Sequence, residues 1–282
     1  MAWEEHVYWA EGRLSSVTRA PMVELDAAPL NIAALLHNIL FSRKKTVILT
    51  SATLAGNGSL GYYFNRVGFA NGTGIVLDSP FDYAKQVRLY LPRSMPLPSE
   101  ESYYGAVCDE IVRFLKFSNG RAFVLFTSYG MLRTCAEELK DEIRELGLNL
   151  LVHGGELSRT AMLQQFKTSD VPSVLFGATS FWTGVDVPGE ALSNVMITKL
   201  PFAVPSHPLI EARLERIRQN GGEPFRDYSI PDAVLKFRQG VGRLIRSRTD
   251  QGIIVVLDRR IVTKAYGARF LDSIPSCPVE YF

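Results

Sequence analysis

The sequence predicts an α/β protein built on a parallel sheet with helices on both faces. Two patterns carry that expectation. From residue 102 onward, short apolar runs rich in β-branched and aromatic residues alternate with amphipathic stretches at helical spacing, as in strands joined by crossover helices. The apolar runs are continuous, which suits strands buried on both faces. Of 282 residues, 46% are hydrophobic and 21% charged, enough for a substantial core in one large or two small domains.

Taken in order, residues 6–10 and 22–26 read as short strands around a Gly/Ser-containing turn. Asn31 suits the N-cap of a helix through IAALLHNILF, whose apolar stripe includes Leu35, Leu36 and Leu40. TVILT (46–50) reads as a buried parallel strand running into Ser51, Ala52 and Thr53. Small hydroxylated residues at a strand end meet the ligand crevice of doubly wound sheets, and equally form an ordinary turn or cap. A short helix around Leu60–Val67 sits in a Gly/Asn-rich stretch, IVLDSPFDY (75–83) returns to a strand and then a loop, and 86–91 form a further strand. The three prolines of PRSMPLPSEE (92–101) make it the best internal linker. It separates an N-terminal segment, 1–91, from a regular domain, 102–282. In that domain helices over 102–117, 130–146 and 158–167 alternate with strands 122–126, 149–153, 173–177, 194–198 and 252–258.

The balance of 31 basic and 29 acidic residues gives a net charge of +2. Nucleic-acid contact would therefore rest on local patches and backbone groups, not on bulk charge. Cys108, Cys135 and Cys277 are odd in number and far apart. They read as buried thiols of a reducing, cytoplasmic setting, with no disulfide framework and no metal site. No apolar run is long enough to span a membrane. The opening MAWEEHVYWAEG has no signal-peptide pattern and reads as the interior of a longer protein.

The most informative stretch is Gln239-Gly240-Val241-Gly242-Arg243-Leu244-Ile245-Arg246. Read as a helix at roughly 100° per residue, it places Gln239, Arg243 and Arg246 within about 60° of one another. Val234, Phe237, Val241, Leu244 and Ile245 fall on the other side. Two glycines in one turn weaken a helix, so Gly240 and Gly242 point to close approach by another backbone or a ligand. Arginine is suited to phosphate by its planar, permanently charged fork. The plainer alternative is an amphipathic helix with a solvated basic side.

QGVGRLIR resembles the Q-x-x-G-R-x-x-R motif VI of superfamily 2 helicases. FGATSFWTGVDVPG (176–189) resembles motif V of the DinG/XPD-like branch, TSATL (50–54) motif III, and AFVLFTSYGML (122–132) motif IV. The four occur in family order and span most of the chain. The resemblance implies a RecA-like fold of the P-loop NTPase type. Yet no G-x-x-x-x-G-K-[ST] segment and no D-E-A-H-like run are present. It therefore implies the C-terminal, second motor lobe of an ATP-dependent 5′→3′ DNA helicase, inactive as an ATPase alone. ATP and Mg²⁺ would be held mainly by the first motor domain of the same protein, with single-stranded DNA as the other partner and DNA repair as the setting. Family members often carry an iron–sulfur cluster in the first lobe, and none is expected in this chain.

The same resemblance assigns roles. Arg246 is the arginine finger, Arg243 contacts phosphate or an acidic partner, and Gln239 orients water or bridges to the first lobe. Gly184, Asp186 and Gly242 face the nucleotide. Thr127, Ser128, Tyr129, Thr179 and Ser180 face DNA, and Ser51, Ala52 and Thr53 couple the two. Thr183 stands where many relatives carry glutamate, which removes a negative charge beside the nucleotide cleft. Several of these positions also have plainer readings. Thr127 and Ser128 suit a helix cap, His153 a capped loop, Lys199 a solvated side chain, and Phe181-Trp182 core packing under a loop. The functional rivals are a non-catalytic nucleic-acid-binding module and an unrelated nucleotide-binding α/β enzyme, against which stands the missing G-x-G-x-x-G.

Overall fold

The structure, a computed structural model, describes residues 5–14, 20–51, 53–55, 58–69, 72–182, 184 and 191–282. The chain divides into two compact units, one formed by 1–76 with 202–232 and the other by 77–201 with 233–282.

The first unit opens with an antiparallel hairpin, β1 (His6–Leu14) and β2 (Pro21–Pro29), paired from His6↔Pro29 to Leu14↔Pro21. Both strands are longer than their apolar cores suggest. Helix α1 (Ala33–Leu36) passes directly into a π-helical turn, His37–Phe41. The N-cap is Ile32, not Asn31, whose side-chain oxygen instead accepts the Ala33 N–H at 2.9 Å in a local turn before the helix. Helix α2 (Gly61–Val67) ends on Gly68, whose φ of +73° favours glycine. TVILT is not a strand, and neither is IVL at 75–77. Ile48 is 84% and Ile75 83% exposed. An apolar β-branched run becomes a strand only beside another strand that takes up its N–H and C=O groups. Among the described residues none lies beside these two.

The second unit is a seven-stranded sheet. A single turn, α3 (Tyr83–Gln86), leads into β3 (Val87–Leu91). Then come α4 (Tyr103–Ser118), β4 (Ala122–Phe126), α5 (Tyr129–Glu145), β5 (Asn149–Val152), α6 (Arg159–Thr168), β6 (Ser173–Ala178) and β7 (Asn194–Ile197). The chain then contributes α7 (Pro208–Gln219) to the first unit. Helix α8 (Ile230–Val241) follows, and β8 (Gly252–Val256), α9 (Arg260–Thr263), α10 (Gly267–Leu271) and β9 (Val279–Tyr281) complete the chain. The strand order is β5-β6-β4-β7-β8-β3-β9, and every pairing is parallel. This is the doubly wound sheet that the alternating pattern implies.

Strand β4 shows why helices cover both faces. Ala122, Val124 and Phe126 join a core with Val107 and Ile111 of α4 and Leu132 and Leu139 of α5. The intervening Phe123 packs its ring on Phe166 of α6 at 4.8 Å. Successive residues of a strand point to opposite faces, so a continuous apolar run needs cover on each. Ser128 and Ser158 cap α5 and α6 by accepting the Met131 and Ala161 N–H groups.

Two expectations change here. Strand β3 belongs to this sheet, paired with β8 and β9, and not to an N-terminal segment ending at 91. The proline-rich 92–101 stretch connects β3 to α4 within the second unit, with Met95 buried. Prolines mark a backbone that cannot join a ladder, whether or not a domain ends there. Strand β9 adds an edge strand of three residues, too short for any periodic signal.

Phe123 is fully buried in a central strand, so Phe123→Ala should cost about 3–5 kcal/mol through lost transfer energy and the cavity left behind. Urea denaturation measures it, and a loss below about 1 kcal/mol would contradict this placement of β4.

Candidate functional site

In a parallel sheet all strands deliver their C-terminal ends to one edge, where ligands bind in open α/β folds. The adjacent strands β5, β6 and β4 end there in His153, Thr179-Ser180 and Thr127-Ser128-Tyr129. The Ser128 hydroxyl caps α5, so the cap reading holds for it. Thr127 is half-buried, and Thr179 opens a short 3₁₀ turn, Thr179–Phe181. His153 joins the three loops. Its Nδ1 accepts the Ala178 N–H at 3.4 Å, and its Nε2 lies 3.3 Å from the Tyr129 hydroxyl and 3.5 Å from the Ser180 hydroxyl. An accepting Nδ1 requires the proton on Nε2 in the neutral ring. Burial pushes the His153 pKa below its ordinary value, and the Arg159 charge pushes it the same way. The histidine is thus a neutral strut, and Tyr129 and Ser180 share it.

The paired aromatics pack inward. Phe181 is fully buried and Trp182 nearly so, which settles the core-packing alternative in its favour. The Trp182 indole N–H donates to the Phe126 carbonyl at 2.8 Å. Arg159 lies 5.5 Å over the Phe181 ring and donates to the Gly184 carbonyl at 2.8 Å. Gly184 has φ +63°, a conformation that favours glycine. Asp186 and Thr183, like Ala52, lie outside the described residues. Ser51 and Thr53 belong to the first unit, where their hydroxyls lie 3.3 Å apart in a local turn.

The arginine-bearing stretch departs from a continuous helix. Helix α8 ends at Val241; the Gly242 N–H still bonds the Arg238 carbonyl, and the chain then turns. Gly240 and Gly242 lower helix propensity there. Gln239 therefore lies on the last helical turn, Arg243 in the turn after it, and Arg246 in a loop. The three do not share one helix face. Arg243 is 8% exposed and donates through Nη2 to the Trp182 carbonyl at 2.8 Å. Arg246 is exposed and Gln239 half-buried. A Cβ on Gly240 would come within 3.0 Å of the Trp182 ring and of Leu125, so the close neighbours that this glycine admits are the indole and that leucine.

Gln86, Arg159 and Asp250 gave no sequence signal, because each is a lone polar residue outside any recognised pattern. Among the described residues no group of three or more His, Cys, Asp or Glu is arranged to hold a metal ion. No described helix is long and apolar enough to cross a membrane.

A seven-stranded parallel sheet in this order, with serine, threonine and histidine at its C-terminal edge, is a RecA-like domain. Residues 111–277 match the family model described as "Helicase C-terminal domain". The chain belongs to that family. It is 39% identical over 271 residues to the ATP-dependent DNA helicase YoaA of Haemophilus influenzae, covering 96% of this chain and 41% of the relative. It is 38% identical over 288 residues to the protein named 3′-5′ exonuclease DinG of Bacillus subtilis, covering 98% of this chain and 30% of the relative. The chain thus spans well under half the length of these relatives. Among solved structures, an apo XPD superposes with a TM-score of 0.67 at 14% identity, covering 94% of this chain and 53% of that one. The likeness supports the fold.

The His153 strut has a pH signature. Its folded pKa lies below the ordinary 6.5, so its contribution to stability is full above that value. The contribution is lost as pH falls from there through the folded pKa. Urea midpoints measured from about pH 7.5 to about pH 5 should drop less in His153→Gln than in the parent chain. Equal drops would remove the strut.

Proposed function

We propose that this chain is the second motor lobe of an ATP-dependent 5′→3′ DNA helicase, completed by a first lobe of the same protein. The observation that carries the reading is the Arg243–Trp182 bond. It ties the turn after α8, three residues before Arg246, to the loop after β6. In this reading Arg246 reaches across the cleft to the transferring γ-phosphoryl group, where an arginine can be worth 10³–10⁵ in rate. Its guanidinium suits phosphate. The P-loop lysine and the metal ligands are ascribed to the first lobe, so this chain alone hydrolyses no ATP. Gln239 orients the attacking water or touches the first lobe, and Gly184, Asp186 and Gly242 border the nucleotide. Arg243 holds the turn through its bond to the Trp182 carbonyl, and its remaining N–H groups serve phosphate or an acidic partner.

Nucleic-acid contact falls to the loops after β4 and β6. Thr127, Ser128, Tyr129, Thr179, Ser180 and nearby backbone N–H groups would grip phosphate and sugar without reading sequence. Phe181 and Trp182 stack on no base, being buried. Closing and opening of the lobes around ATP would move the strand.

In the longer protein carrying both lobes, Arg246→Ala should lower DNA-stimulated ATP turnover by roughly 10³-fold. Unchanged turnover would remove the finger assignment. The isolated chain should bind single-stranded DNA weakly, with affinity falling steeply as salt rises. Tight binding that survives high salt, measured by fluorescence anisotropy, would contradict a grip made of a few phosphate contacts.

A further inference from the structure

The loop that carries Arg246 is held from two sides by side chains that neither the sequence motifs nor the proposed chemistry uses. From within, the Asp250 carboxylate closes it. Oδ2 accepts the Arg246 N–H at 2.8 Å and the Ser247 N–H at 2.9 Å, and Oδ1 accepts the Ser247 hydroxyl at 2.6 Å. From outside, Gln86 reaches in from the single turn before β3. Its Nε2 donates to the Ser247 carbonyl at 3.0 Å and to the Asp250 carbonyl at 2.8 Å. Gln86 and Asp250 are 7% and 8% exposed. The contacts span about 160 residues of sequence and lie within the second unit. Tyr83, buried on the same turn, lies close enough to Arg238 and Arg246 to feel their charge.

The chemistry of these contacts is directional. One primary amide supplies two N–H donors, which two carbonyls consume. A carboxylate in its place would face two acceptors with two more. The result is a backbone pinned at Ser247 and Asp250 beneath an arginine whose side chain is exposed. A group that stabilises charge in a transition state must be held in place before the reaction, since a misplacement of about 1 Å can cost roughly 10²-fold in rate.

We infer that Gln86 and Asp250 are positioning residues for Arg246, clamping the backbone of its loop so that the guanidinium is aimed across the lobe interface. The inference rests on the reading of Arg246 as the finger. It gives the SPFDYAKQ stretch a function as the rear support of the arginine loop.

The test is a double-mutant cycle in the protein carrying both lobes, read as kcat and KM for DNA-stimulated ATP hydrolysis. Gln86→Glu is nearly isosteric. It should lower kcat by about 10- to 100-fold and leave KM for ATP within about twofold. In an Arg246→Ala background the same change should lower kcat by less than about twofold, because the group it aims is gone. Asp250→Ala should behave like Gln86→Glu. Asp250→Asn should recover at least about half of that loss, its oxygen accepting the two N–H groups and its amide donating to Ser247. This second pair decides the matter if Gln86→Glu does not fold. Equal multiplicative losses in both backgrounds would mean a merely structural role and overturn the clamp. If Arg246→Ala lowers turnover and Gln86→Glu does not, the clamp alone fails. If Arg246→Ala leaves turnover intact, the finger fails and the clamp with it.

Discussion

The joint between the end of β4, the loop after β6 and the turn after α8 depends on how one side chain, Trp182, is seated. Its indole N–H donates to the Phe126 carbonyl at the end of β4. Its own carbonyl accepts the Arg243 guanidinium from the turn after α8. Its ring lies against Gly240 of the last turn of α8, which has no Cβ to displace it. Three segments far apart in sequence are thereby joined through a residue that is itself almost wholly buried. A buried indole contributes a large apolar area, and here its polar atom is also satisfied, so little is lost by taking it from water.

The same seat divides the two arginines. A buried guanidinium is costly unless hydrogen-bonded, and the Trp182 carbonyl meets part of that cost for Arg243. Arg243 then acts on the backbone of its own protein and braces the turn. Arg246, three residues on and past the helix end, is exposed. Its backbone is fixed while its side chain is exposed, which is the division of labour expected of a group that acts on something outside its own lobe. His153 plays a comparable part at the C-terminal strand ends, as an uncharged link between Tyr129, Ser180 and the Ala178 backbone.

Much of the fold was legible in the sequence. Strand β4 was legible residue for residue, because AFVLF is apolar throughout and both its faces are covered. The helices α4, α5 and α6 were legible to within a residue or two from their apolar spacing. TVILT was misread because a propensity for strand is satisfied only by a neighbour, and no neighbour lies beside it among the described residues. The helical wheel over Gln239–Arg246 overran the helix end at Val241, since periodicity continues through Leu244 and Ile245 after the backbone has turned. In the candidate site the strand-end hydroxyls and the exposure of Arg246 followed the sequence. Gln86 did not, because a lone glutamine has no periodic or motif signal and is defined only by the carbonyls it meets from 161 and 164 residues away.

The account turns on Trp182 occupying the space that Gly240 leaves open. The most direct test is the unfolding free energy of a Gly240→Ala, Trp182→Leu double-mutant cycle. A methyl on Gly240 would lie 3.0 Å from the ring, so Gly240→Ala alone should cost about 1–3 kcal/mol through overpacking. With the ring removed, its share of that cost should vanish and only the contact with Leu125 remain, giving a coupling of at least about 0.5 kcal/mol. Strict additivity of the two substitutions would show that the indole does not sit against Gly240, and the joint between the three segments would be gone.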